Sequence, residues 1–136
     1  MSNQIDVNQL SNALQQKIDL PSGKSQADID YVVETKAPTD TDPTWYRLYR
    51  SGWIEQGGTT GNANTNTVNL PITMANVYYS VIATEYSKVN GTGGYTNPGI
   101  VVSSKTTTSF QLRGVYSGSD SHNIWDWQVK GFAATE

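Results

Sequence analysis

The sequence predicts an all-β protein, an antiparallel β-sandwich preceded by one short helix. Three observations carry that reading. Short runs of alternating apolar and polar residues recur at sandwich-like intervals, separated by turns rich in Gly, Asn, Ser and Pro. Only 36% of the 136 residues are hydrophobic and 15% are charged, and Thr, Ser, Asn and Gly fill the deficit, as in a β protein with polar outer faces. A helical stripe occurs only near the N-terminus. The 4 Trp and 8 Tyr exclude a disordered chain, which would lack such bulk.

The helix comes first. In Ile5 to Leu20 the residues Val7, Leu10, Leu14 and Ile18 recur at spacings of three, four and four, with Asn, Gln and Ser on the other faces. Pro21-Ser22-Gly23 stops the pattern. A lone helix of this length is marginal in water. It gains stability by docking on its own domain or by packing against copies of itself, and nothing else in the chain offers a helical partner. The spacing is one eleven-residue unit, which favours a nearly straight or slightly right-handed bundle. Residues 1–27 therefore read as a stalk and linker, and residues 28–136 as the β domain.

The strands follow. Tyr31 to Thr35 is a first strand, and Lys36 to Thr44, with two prolines and two aspartates, is a loop. From Trp45 the chain alternates: Trp45, Arg47 and Tyr49 point one way, and Tyr46, Leu48 and Arg50 the other. Ser51-Gly52 breaks the run, and a second strand ends at Gly57-Gly58. Gly57 to Thr67 has no apolar anchor and reads as a surface loop. Val68 to Leu70 precedes Pro71. Val77 to Glu85 reads as the longest strand, central and covered on both sides because both faces carry bulk. Asn90 to Gly99 is a second exposed loop, Ile100 to Ser103 and Thr107 to Gly114 are strands, and Tyr116 to Asn123 is a third polar loop. In Ile124 to Phe132, the last strand, Trp125, Trp127 and Val129 share one face, which is expected to be core. Asp126, Gln128 and Lys130 share the other.

Packing alone does not require the string Trp45-Tyr46-Arg47-Leu48-Tyr49-Arg50-Ser51-Gly52-Trp53-Ile54-Glu55-Gln56-Gly57-Gly58. It closely resembles the signature at the start of the C-terminal domain of many bacteriophage tail fibre proteins. Pro71, Tyr78-Tyr79-Ser80-Val81, Thr107-Thr108-Ser109-Phe110 and Trp127-Gln128-Val129-Lys130-Gly131-Phe132 follow in that family's order, so the resemblance extends from Ile29 to Phe132. It implies a β-sandwich knob, usually trimeric, at the host-facing tip of a fibre. Val7, Leu10, Leu14 and Ile18 would then be a trimerisation segment. The protein would be made in the host cytoplasm and sit in the virion beside other virion proteins. The later motifs are also similar to H-type lectin sandwiches, trimers that bind sugars, by analogy of fold.

Composition excludes several classes. Nucleic acid is not an expected partner: the formal net charge is −3 and the basic residues are scattered. The chain has no cysteine, hence no disulfide scaffold, cysteine-based zinc site or thiol chemistry. No signal peptide is visible, and no apolar segment is long enough to cross a bilayer. No metal or cofactor is expected. His122 is the one histidine and lacks a His-x-His partner, and Asp40-Thr41-Asp42 lacks the later ligands of a calcium loop. Catalysis is not expected either. Nothing marks Glu55 and Glu85 as a facing pair, Asp120, Ser121 and His122 are mere sequence neighbours, and no lysine follows Gly91-Thr92-Gly93-Gly94 in a phosphate-loop pattern.

A sugar presents an apolar C–H face and a rim of hydroxyls. Its site wants one exposed aromatic and a few Asn, Asp, Ser or His groups. The second loop offers Tyr95 and Asn97, and the third offers Tyr116, Ser119, Asp120, His122 and Asn123. Their composition is that of adaptable binding loops. The expected function is recognition of a bacterial surface glycan (lipopolysaccharide, capsule or teichoic acid) by a homotrimeric fibre tip. The alternative is a structural virion component whose knob mainly drives trimerisation.

Overall fold

The computed structural model describes residues 29–86, 99–116, 119–121 and 124–135. The stripe of Val7, Leu10, Leu14 and Ile18 lies outside the described residues, as do Tyr95, Asn97, His122 and Asn123. The strands are β1 (Val32–Lys36), β2 (Trp45–Tyr49), β3 (Trp53–Thr59), β4 (Thr65–Asn69), β5 (Ser80–Tyr86), β6 (Gly99–Ser103), β7 (Ser109–Tyr116), β8 (Ser119–Ser121) and β9 (Ile124–Phe132). They form two antiparallel sheets, one ordered β1-β2-β3-β9-β5 and the other β4-β7-β6 with β8 added to β7. The described chain is all-β, as its alternation requires.

The inner faces meet in one core. Ile54 comes from β3, Trp125, Trp127 and Val129 from β9, and Val68, Phe110 and Leu112 from the second sheet. Met74 and Tyr79 fill it from the β4–β5 connection. Phe110 and Trp127 meet edge to face across the sheets, with ring centroids 5.7 Å apart, a favoured aromatic geometry. The Tyr79 hydroxyl donates to the carbonyl oxygens of Thr106 (2.9 Å) and Ser109 (3.0 Å), so this buried tyrosine also ties the connection to the second sheet.

Two features of the signature have local causes. Gly52 has φ +86°, a conformation other residues rarely adopt, and it turns β2 into β3. Gln56 is fully buried and acts as a substitute strand partner for the connection. Its amide donates to the Ile72 carbonyl at 2.9 Å and its carbonyl accepts the Ile72 N–H at 2.9 Å. A polar side chain at a core position is thus satisfied at both ends.

Three sequence expectations are corrected. Gly57 to Thr67 is not one loop. Gly57–Thr59 completes β3 and Thr65–Thr67 opens β4, leaving a short connection between them. The glycines read as a turn because they carry no bulk, yet both are buried under side chains from neighbouring strands. The second correction concerns β5, which is neither central nor longest. It is an edge strand beside β9, and β9 is longer. Val81 and Ala83 pack on the core while Tyr78 and Ile82 remain 87% and 60% exposed, so bulk on both faces did not mean cover on both. Finally, Tyr116 to Asn123 is not simply a loop. β7 runs to Tyr116 and β8 pairs back on it, with Val115 opposite Asp120 and Tyr116 opposite Ser119. Ser119-Asp120-Ser121 has no apolar alternation to announce a strand.

Candidate functional site

The outer face of the five-stranded sheet is built from β9 outward. Trp125, Trp127 and Val129 are turned to the core, so Asp126, Gln128 and Lys130 face away from it. Antiparallel register extends each of these into a row across the sheet. Trp45, Gly57, Gln128 and Ile82 are successive cross-strand neighbours. Thr59, Asp126 and Thr84 form the row on one side. Arg47, Glu55, Lys130 and Ser80 form the row on the other.

The first two rows floor an open groove of about 500 Å³, walled by Pro38, Thr39 and Pro43 from the β1–β2 loop. Trp45 reaches the groove because Gly57 has no side chain: a Cβ there would stand 2.7 Å from the indole ring and 2.6 Å from the Trp127 carbonyl oxygen. The indole lies against bare backbone. Asp126 is oriented by the Thr59 hydroxyl, which donates to its Oδ1 at 2.7 Å. Among the described residues, the Gln128 amide and the Thr84 hydroxyl make no hydrogen bond to protein, so their donors and acceptors stay open to a ligand.

The wall is braced. The Lys36 ammonium donates to Asp42 Oδ2 at 2.7 Å, to the Thr44 carbonyl at 2.9 Å and to the Thr44 hydroxyl. The Thr44 N–H and hydroxyl both donate to Asp42 Oδ1, at 3.0 and 2.7 Å. The Lys36 hydrogen bond first, and those from Thr44 next, hold the Asp42 carboxyl well below the usual carboxylate range. Asp42 is therefore engaged in shaping the loop that carries Pro38, Thr39 and Pro43.

Beyond the groove the face changes character. Lys130 and Glu55 pair at 3.5 Å. Past them Trp53 and Phe132 stack edge to face, their centroids 5.3 Å apart, and Phe132 remains 54% exposed.

The predicted ligand residues lie elsewhere. Tyr116 ends β7 and Asp120 sits in β8, so one hairpin of the second sheet brings them together. Tyr95, Asn97, His122 and Asn123 lie outside the described residues. The groove was missed because its parts are far apart in sequence. One signal was available: the alternation that turns Trp125 and Trp127 inward also turns Asp126 and Gln128 out, and the β2–β3 hairpin sets Trp45 opposite Gly57.

Residues 47–132 match the family model of the gp53-like tail fiber protein, C-terminal domain. The chain belongs to this family. This tail fibre domain has no match among curated proteins. Among solved structures it is similar to an N-truncated R2-type pyocin tail fiber, with a TM-score of 0.52 and 19% identity over 74% of this chain and 39% of that one. It is also similar to a C-terminal portion of the P. aeruginosa R2 pyocin fiber, with a TM-score of 0.51 and 16% identity over 96% of this chain and 36% of that one. At such identities the likeness is one of fold. The chain spans less than two thirds of the length of either pyocin chain.

Proposed function

We propose that this tail fibre domain is a receptor-binding tip that recognises a glycan on the bacterial surface during host adsorption. The observation that carries the reading is the outer-face groove. It combines an indole set against backbone with an oriented carboxylate and with amide and hydroxyl groups that have no partner among the described residues. That set matches a sugar, with its apolar C–H face and hydroxyl rim. The ligand is a unit of lipopolysaccharide, capsule or teichoic acid. Recognition is reversible contact on a rigid sheet and needs no bond-breaking step, so the domain is not an enzyme.

In this reading the protein acts as a homotrimer, with Val7, Leu10, Leu14 and Ile18 packing copies together and other virion proteins holding it. Three sites on one tip raise weak single contacts to useful avidity. Tyr95, Asn97, Tyr116, Asp120, His122 and Asn123 supply further contacts at the loops. The test is co-sedimentation of purified protein with a panel of bacterial cells, alongside its mass by light scattering. A trimer that sediments with some strains, and is displaced by their extracted polysaccharide, supports the reading.

One observation favours the structural alternative. Ile100 and Val102 on β6 pair with Gly114 and Leu112, whose side of the sheet faces the core, yet they remain 42% and 37% exposed. Such residues suit an assembly surface. A knob that only assembles would form the trimer and sediment with no cells.

A further inference from the structure

We infer that the groove selects its sugar by charge: it seats an uncharged or amine-bearing unit of a surface polysaccharide and turns away units bearing carboxylate or phosphate. This rests on the glycan-recognition reading and narrows it to one site and one ligand class.

The argument starts from the ionisable groups. Of the described residues that line the groove, Asp126 alone carries a charge. A carboxylate only accepts hydrogen bonds. Its Oδ1 already accepts from Thr59, which fixes the orientation of Oδ2. What Oδ2 can bind must donate: a sugar hydroxyl, an N-acetyl N–H or an ammonium. A uronic acid or phosphosugar brings further acceptors of the same sign into the same space.

No cation among the described lining residues offsets this. Lys130 lies one row beyond Gln128 and pairs with Glu55 at 3.5 Å. Arg47 stands opposite Glu55 in that same row. Lys36, behind the wall, is held by Asp42 and Thr44. Sites that take carboxylate or phosphate present an arginine fork or a lysine, and the described lining of the groove has neither.

The remaining lining suits an uncharged ring. Trp45 offers a π face for C–H groups. Gln128 sits between Trp45 and Ile82 across the row, with both a donor and an acceptor for hydroxyls. Thr84 adds a hydroxyl beside Asp126. The occupant is therefore one sugar residue lying along the Trp45–Ile82 row, with its hydroxyls turned to Gln128 and Asp126.

The experiment is a titration of the full chain, at about 0.15 M salt so that only contacts within a Debye length of about 8 Å count. The probes are immobilised bacterial O-antigens, capsules and teichoic acids of known composition, grouped as uncharged, amine-bearing and acidic. The expected result is binding confined to the first two groups. Gln128→Ala should weaken it about tenfold or more, as loss of a hydrogen-bonding group in a site does. Asp126→Asn should weaken binding of amine-bearing ligands and raise binding of acidic ones by about tenfold, since the negative charge is gone. Both positions are exposed, and unchanged thermal melting would show that the fold is intact. Tight binding of acidic polysaccharides that is lost in Gln128→Ala overturns the inference and leaves glycan recognition standing. Binding to none of the probes, with cells still bound after their polysaccharide is stripped, overturns both.

Discussion

Trp45 and Trp127 approach the same pair of glycines from opposite sides of the sheet. Trp45 lies against Gly57 on the outer face, and Trp127 against Gly58 on the inner face. Both pairs are cross-strand neighbours of β3. Both tryptophans border the groove, but Trp127 is 3% exposed, stacks on Phe110 and belongs to the core, whereas Trp45 is only half-buried. One residue type therefore serves two roles, decided by which way a strand's alternation turns it. The double glycine of the signature has a matching explanation: each glycine makes room for one indole.

The comparison breaks first at stability. Trp127→Ala should cost about 3–5 kcal/mol, the range for removing a large aromatic from a core, read by urea unfolding. Trp45→Ala should cost less than half of that, because one side of its ring faces the groove, while abolishing ligand binding. Equal losses of stability would mean that Trp45 is a core residue.

Gly57→Ala comes next. Its Cβ would stand 2.6 Å from a backbone oxygen that cannot rotate away. Overpacking of this kind costs about 1–3 kcal/mol, and the displaced indole should take binding with it. Gln56→Ala should cost a comparable 1–3 kcal/mol, roughly, by leaving the Ile72 N–H and carbonyl without partners. Binding by Gln56→Ala should persist in the folded fraction, since Gln56 faces the core.

These substitutions also show what was legible in the sequence. The spacing of Trp125, Trp127 and Val129 put all three on one face, and all three are buried. The Ser51-Gly52 turn and the Lys36–Thr44 loop were readable from local chemistry. Gly57-Gly58 was not, because glycine signals a turn by lacking a side chain, and here neighbouring strands supply the missing bulk. Nor was the contact of Thr59 with Asp126, which are 67 residues apart. Nothing local in β3 says that β9 will lie beside it, so the groove could not be assembled from sequence.

The smallest expected effect is on pH. Asp42 is held below the ordinary carboxylate range in the folded protein, so the unfolded chain binds its proton more readily. The stability it contributes is fully present above the unfolded value of about 4 and is lost as pH falls below that toward the depressed value, where the brace with Lys36 and Thr44 itself opens. Stability should therefore decline in acid. Asp42→Asn should be slightly less stable at neutral pH and lose part of that decline, as followed by urea unfolding from neutral to acid.

The most direct test sets the groove against the loops in one binding assay. Wild type, Gln128→Ala, Tyr95→Ala and Tyr116→Ala would be titrated against the same polysaccharide, with melting curves for each. The expected result is that Gln128→Ala loses about tenfold or more in affinity at an unchanged melting temperature, with smaller losses at the two tyrosines. Full affinity in Gln128→Ala, with binding abolished in Tyr95→Ala or Tyr116→Ala, would contradict the assignment of the outer face as the receptor site.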